Sequence, residues 1–155
     1  MSAHRTFLVV VDNSEEMRAA LRFACRRARS TNGMVALLHV SQPAEFQHFA
    51  AIGDLMREEA RDEAEQLLQR LATEVNNCSG HFPVLYTREG DPAEELVKLV
   101  DEEESISILV LAAGTGSKGP GPLVSAMSGK LVNKLRVPLT IVPGNLTDEE
   151  INALA

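Results

Sequence analysis

The alternation of short apolar runs with amphipathic segments constrains the fold of this chain more than any other feature. Five apolar runs, typical of strands buried on both faces, alternate with segments whose apolar residues recur at helical spacing. The predicted strands cover residues 7–11, 34–40, 82–86, 106–113 and 139–142. The connections are long enough for right-handed crossovers, so the alternation predicts an α/β fold with a parallel, doubly wound sheet. Strand one is the most apolar, which favours a central place for it and the order 3-2-1-4-5.

The first two helices are delimited by capping residues and by charge. We expect the first to begin near Glu15 with Asn13 or Ser14 as its N-cap, and to end at the Asn-Gly pair 32–33. The second is predicted over about 54–75, where a charged stretch carries leucines at helical spacing.

The remaining helices also begin at recognisable signals. Asp91 and Pro92 open the third, because proline in the first turn gives up no needed hydrogen bond. The fourth is predicted to follow a Gly/Pro loop and to run to about Leu135. Thr147 and Glu150 have capping-box spacing, which predicts a short C-terminal helix from about residue 147.

Length and charge restrict the class of protein. The 155 residues predict one domain over 1–155, and a net charge of −7 argues against nucleic acid or anionic membrane as partner. No apolar run approaches a membrane span, and the first strand runs directly into Asp12, so we expect a cytoplasmic protein. Cys25 and Cys78 fit reduced thiols, with Cys25 on the apolar side of the first helix.

Three groups of residues follow predicted strands at the edge where ligands bind in such sheets. They are the pair Val11-Asp12, the pair His39-Val40, and the loop 114–121. The predicted phosphate-binding residues of the loop are Gly114, Thr115, Gly116, Ser117, Lys118 and Gly119, which offer backbone N–H groups, hydroxyls and one ammonium. An exposed crossover without a ligand has the same composition, and composition does not decide between the two.

Known catalytic and phosphate motifs do not fit this loop. The glycines at 114, 116 and 119 match the dinucleotide pattern, but they follow the fourth strand and are succeeded by prolines instead of a helix. The P-loop pattern also fails, since Gly119 precedes Pro120. The histidines and cysteines lack metal-ligand spacing, and no nucleophile elbow is present, so we predict neither a metal site nor a dedicated enzyme.

Four segments together resemble the universal stress protein family. They are 7–15, 37–40, 90–96 and 137–142, and they occur in the family's order within about residues 5–143. The resemblance implies a five-stranded fold of the adenine-nucleotide alpha-hydrolase-like type. It also implies ATP or AMP as ligand, as in many members, with at most slow ATP hydrolysis.

The glycine motif of nucleotide-binding members is altered here. Binding members have Gly-x-x-Gly, nine residues, then Gly and Ser or Thr. Counted back from Pro138 without gaps, the motif positions fall on Ala112, Thr115, Ser125 and Ala126. Matched by the spacing of the glycines instead, they fall on Gly116, Gly119, Gly129 and Lys130. The first alignment implies a remodelled site and the second a shifted one. Ser125 or Ser128 would supply hydroxyls, and Asp12 would contact the nucleoside unless it only caps the first helix.

Three functions follow from the resemblance and the residues. The first is an adenine-nucleotide-binding stress-response sensor or adaptor. The alternative is a dimeric interaction module that has lost the nucleotide. An enzyme such as a nucleotidyl transferase ranks last, since only Asp12 and His39 are candidate catalytic residues.

We expect a homodimer through the uncharged last strand, residues 137–143, whose flanking prolines would limit pairing to two chains.

Overall fold

The sheet has the predicted topology. The computed structural model describes residues 4–42 and 50–155. Five parallel strands lie in the order β3-β2-β1-β4-β5. They are β1 (Thr6–Val10), β2 (Met34–Ser41), β3 (Val84–Glu89), β4 (Ile106–Ala113) and β5 (Leu139–Pro143). The fold class and the strand order are therefore confirmed.

Helices cover both faces of the sheet. They are α1 (Met17–Thr31), α2 (Ala50–Ser79), α3 (Pro92–Glu102), α4 (Pro122–Ser128) and α5 (Asp148–Leu154), with a 3₁₀ turn at Val132–Lys134. Phe7 and Val9 of β1 pack with α1, α2 and α5, whereas Leu8 packs with α3 and α4. Because side chains alternate across a strand, this central strand supplies both cores, which explains its uninterrupted apolar sequence.

The start of α1 differs from our expectation. Its N-cap is Glu16, which makes no capping side-chain hydrogen bond, so the prediction of Asn13 or Ser14 as N-cap is wrong. The carboxylate of Asp12 instead accepts hydrogen bonds from the backbone N–H of Ser14, at 2.8 Å, and from the Ser14 hydroxyl. This Asx-type turn delays the helix, and Asp12 is not its cap either.

The other predicted caps are confirmed. Asn32 ends α1 in the left-handed conformation, with φ 54° and ψ 40°. Asp91 caps α3 by accepting the backbone N–H of Glu94 at 3.1 Å, and Pro92 stands in the first turn. Thr147 and Glu150 form the reciprocal capping box of α5.

Several boundaries lie away from their predicted positions. Strand β3 begins at Val84, after Pro83, and lies at an edge of the sheet. Helix α2 continues to Ser79. Helix α4 ends at Ser128 and does not reach Leu135, because Gly129 takes φ −103° and ψ −110°, which is not a helical conformation.

Helix α5 packs on α1. Arg18 forms an ion pair with Asp148 at 2.7 Å, Arg22 donates to Asn152 at 3.1 Å, and Ile151 is fully buried.

Cys25 is buried in the same core, as predicted, and its thiol contacts that of Cys78. Burial raises the pKa of the Cys25 thiol above its ordinary value. No helix within 4–42 or 50–155 is both long and apolar enough to cross a membrane.

Candidate functional site

A crevice of about 620 Å³ opens at the carboxyl edge of the sheet, between the ends of β1 and β4. These neighbours belong to opposite halves of the strand order, so the crevice lies where that order reverses, the usual ligand position in such folds. Its apolar walls come from β1, β2, β4, α3 and α4. The main apolar residues are Val10, Val11, Val40, Leu111, Pro92, Leu123 and Val124.

The charged side chains of the crevice are all acidic. Asp12, Glu16 and Asp91 line it, together with the polar side chains of Ser14 and Gln42. Among its lining residues in the described chain there is no Lys, Arg or His. Two of the three carboxylates already accept hydrogen bonds, Asp12 from Ser14 and Asp91 from Glu94. The crevice therefore offers hydrogen-bond acceptors and negative charge to a ligand.

Glu16 is held beside the ends of β4 and β5. A Cβ placed on Gly144 would lie 2.4 Å from the Cβ of Glu16 and 2.5 Å from the carbonyl oxygen of Ala113. A Cβ on Gly114 would lie 3.6 Å from Glu16 Oε1. The bare backbone at Gly144 thus lets Glu16 lie close over the sheet edge, and its carboxylate lies beside Gly114 at the start of the glycine loop.

The structure brings some of the predicted site residues together and leaves others apart. Val11, Asp12 and Val40 all line the crevice. From the loop 114–121, Pro120 and Gly121 do so, whereas Gly114, Thr115, Gly116, Ser117, Lys118 and Gly119 are outside its lining. The segment 115–120 is exposed to solvent.

The glycine loop is closed on itself by two backbone hydrogen bonds. The N–H of Gly114 donates to the carbonyl of Pro120 at 2.9 Å, and that of Gly119 donates to Gly116 at 3.2 Å. Two N–H groups that we expected to meet phosphate oxygens therefore have protein partners in this conformation.

The predicted hydroxyl and glycine positions of α4 also lie outside the crevice lining. Ser128 donates its hydroxyl proton to the carbonyl of Val124 at 2.7 Å, and the N–H of Gly129 donates to Ser125 at 3.1 Å. Helix α4 lines the crevice instead with Pro122, Leu123, Val124 and Ala126. A role for Ser125, Ser128 and Gly129 in phosphate binding stays a prediction.

Two lining carboxylates were missed by sequence reasoning as site residues. Asp91 was assigned only as a cap, yet it closes the α3 side of the crevice. Glu16 carried a usable signal, because it lies in the short connection between the end of β1 and the start of α1 and so belongs to the same edge of the sheet as Asp12. Its charge marks it as a determinant of which ligands fit.

His39 lies beside a neighbouring cavity. That cavity, of about 440 Å³, lies between the end of β2 and α2, and its walls include Glu63, Gln66 and Arg70. Burial lowers the pKa of His39, and the Asp12 carboxylate opposes this shift by raising it. Within the described ranges, no group of three or more His, Cys, Asp or Glu side chains is placed to hold a metal ion.

Comparison with known protein families gives a match over most of the chain. The model of the universal stress protein family matches residues 3–143. No curated protein sequence matches the chain.

Solved structures give the same architecture. Universal stress protein UspA from Lactobacillus plantarum aligns with a TM-score of 0.71 at 19% identity, covering 92% of this chain and 99% of that one. A universal stress protein from Archaeoglobus fulgidus in complex with dAMP aligns with a TM-score of 0.63 at 19% identity, covering 92% and 99%. A universal stress protein in complex with cAMP aligns with a TM-score of 0.57 at 19% identity, covering 93% and 100%.

Proposed function

The chain belongs to the universal stress protein family, and on that premise we propose that it binds an adenine nucleotide in the crevice at the carboxyl edge of its sheet. Binding would make it a sensor or adaptor in a cytoplasmic stress response. The single observation that carries the proposal is the position of an apolar crevice of about 620 Å³ at the β1–β4 switch point.

The walls of the crevice suit the two halves of a nucleoside. Val40, Leu111 and Val124 provide apolar surface against which a purine can pack. The Asp12 carboxylate at the rim is an acceptor for ribose hydroxyls. Two solved structures with this fold are described as complexes with dAMP and with cAMP, which supports an adenine nucleotide as the ligand class.

Calorimetric titration with adenosine, AMP and ATP tests the proposal. We expect heat of binding for at least one of them, and about tenfold weaker binding for Asp12→Ala, because a hydrogen bond to a charged acceptor is lost. Asn13→Ala is the matched control, since Asn13 is exposed and does not line the crevice. Absence of heat with all three ligands at millimolar concentration contradicts nucleotide binding.

The alternative function, an interaction module that has lost its ligand, is favoured by the closed glycine loop. The N–H of Gly114 is engaged by Pro120, and the Ser128 hydroxyl is engaged by Val124. A chain with those donors occupied keeps the fold while offering little to a phosphate. The same titration separates the two functions, because the module predicts no binding by a correctly folded protein.

Under either function we propose a homodimer through β5. This strand is at the edge of the sheet, and the side chain of Ile141 is 40% exposed there. Along a strand, the backbone N–H and C=O groups of successive residues point alternately to one side and the other. The carbonyl of Pro138 points toward β4, where it accepts the N–H of Leu109, so the N–H of Ile141 points away from β4 to the outer edge. Antiparallel pairing with a second copy would satisfy that edge.

A further inference from the structure

We propose that Glu16 makes the crevice selective for nucleosides and nucleoside monophosphates over nucleotides with a polyphosphate chain. This inference rests on the proposed function and specifies its ligand class. Its basis is the sign and the position of the charges around the crevice.

The charge of the crevice opposes a polyphosphate. Asp12, Glu16 and Asp91 line it, and no basic side chain among the described lining residues offsets them. Its walls are largely apolar, and near such walls charges interact more strongly than they do in bulk water. ATP brings several negative charges into this space, AMP brings fewer, and adenosine brings none. The repulsion therefore grows with each added phosphate.

The base of the Glu16 side chain is held at the edge of the sheet. Its Cα and Cβ lie against Gly144, with the Ala113 carbonyl close by, and its own carbonyl accepts the N–H of Ala19 at 3.0 Å at the start of α1. The carboxylate lies near Gly114, where the crevice meets the glycine loop. A phosphate chain that extended from the crevice toward this loop would pass the carboxylate.

Three of the donors that could compensate this charge have other partners. Gly114 and Gly119 donate their N–H groups within the loop, and Ser128 donates its hydroxyl proton to Val124. Pro120 and Pro122 have no N–H to offer. Lys118 is exposed and outside the crevice lining. A neutral ligand rich in hydroxyl donors fits these acceptors better than one rich in phosphate acceptors.

Calorimetry in metal-chelating buffer tests the selectivity with adenosine, AMP and ATP as probes. For the natural chain we expect ATP to bind about tenfold or more weakly than AMP. Glu16→Gln keeps the shape of the side chain and removes its charge, so it should narrow the ratio of AMP affinity to ATP affinity by about tenfold, with a smaller effect on uncharged adenosine. Glu15→Gln is the matched control, because it changes the net charge equally from an exposed position outside the crevice.

The outcomes separate this inference from the proposed function. Equal or tighter binding of ATP than of AMP by the natural chain overturns the inference alone, and so does an unchanged ratio in Glu16→Gln. Loss of discrimination in Glu15→Gln as well would assign the effect to net charge and also overturn it. If folded protein of all three sequences binds none of the probes, the proposed function fails and the inference fails with it. Thermal unfolding of each protein establishes that it is folded.

Discussion

At the scale of single residues, His39 is where burial and charge act against each other. Burial lowers the pKa of this half-buried ring, and the Asp12 carboxylate offsets part of that effect. In the unfolded chain a histidine has a pKa near 6.5, so the unfolded state takes up the proton first as the pH falls. The stability that the neutral His39 ring contributes to the folded state is therefore full above about pH 6.5. It is lost as the pH drops toward the lower pKa of His39 in the folded state.

Replacing His39 should flatten the pH dependence of stability. We expect His39→Gln to lose less stability than the natural chain between about pH 7 and pH 5, because it removes a proton-binding difference between the folded and unfolded states. Urea unfolding at each pH measures this, and His81→Gln, an exposed position, is the control. The same slope in the His39 variant and the natural chain contradicts the prediction.

Residues at strand ends could be placed from the sequence, and contacts between distant segments could not. Val11, Asp12 and Val40 meet in the crevice because each lies at the carboxyl end of an apolar run that forms a parallel strand. The position of Glu16 depends on Gly144, which approaches it only after β5 has joined the sheet. The closure of Gly114 onto Pro120 is likewise a property of the folded loop that glycine content does not reveal.

At the scale of elements, the early end of α4 depends on Gly129. A Cβ at this position would lie 2.8 Å from the carbonyl oxygen of Ser125, which is also the acceptor for its N–H.

We therefore expect Gly129→Ala to lower the free energy of unfolding by about 1–3 kcal/mol. Gly116→Ala is the control, since a Cβ there has no neighbour within 4 Å in the described part of the chain, and we expect almost no change. Urea unfolding of the two variants gives the comparison. Equal stability of both would show that Gly129 is not under steric constraint.

The elements differ in how well their sequence specifies them. The strands were predictable because a buried parallel strand is apolar throughout, and β1 fills both cores. The end of α4 was not, because Leu131 and Leu135 continue a helical spacing past Gly129. They pack against the α3–α4 core from the turns that follow the helix instead. Similar apolar contacts are thus made by a different backbone path.

At the scale of the whole molecule, the exposed β5 edge predicts the oligomeric state. Light scattering at micromolar concentration should give a mass near twice the 16.8 kDa of one chain. Ile141→Pro should give the monomer mass, because it removes an outward N–H and leaves the bonds to β4 intact. Ile141→Lys should do the same by placing like charges opposite each other across the two-fold axis.

Two controls make the mass measurement decisive. Each variant should unfold within a few degrees of the natural chain, and Val132→Lys, an exposed apolar position outside β5, should remain a dimer. A monomer mass for the natural chain contradicts pairing through β5. A dimer mass for both Ile141 variants places the interface elsewhere.

The central position of β1 also bears on how the chain is made. Translation produces β1 first, yet its second neighbour, β4, begins only at residue 106 of 155. Until that segment leaves the ribosome, a nascent β1-β2-β3 unit has an open flank at its most apolar strand. When several ribosomes translate one mRNA, the unpaired β1 edges of neighbouring nascent chains would come close together. We therefore expect the growing chain to be most prone to association in the interval between synthesis of β3 and of β4.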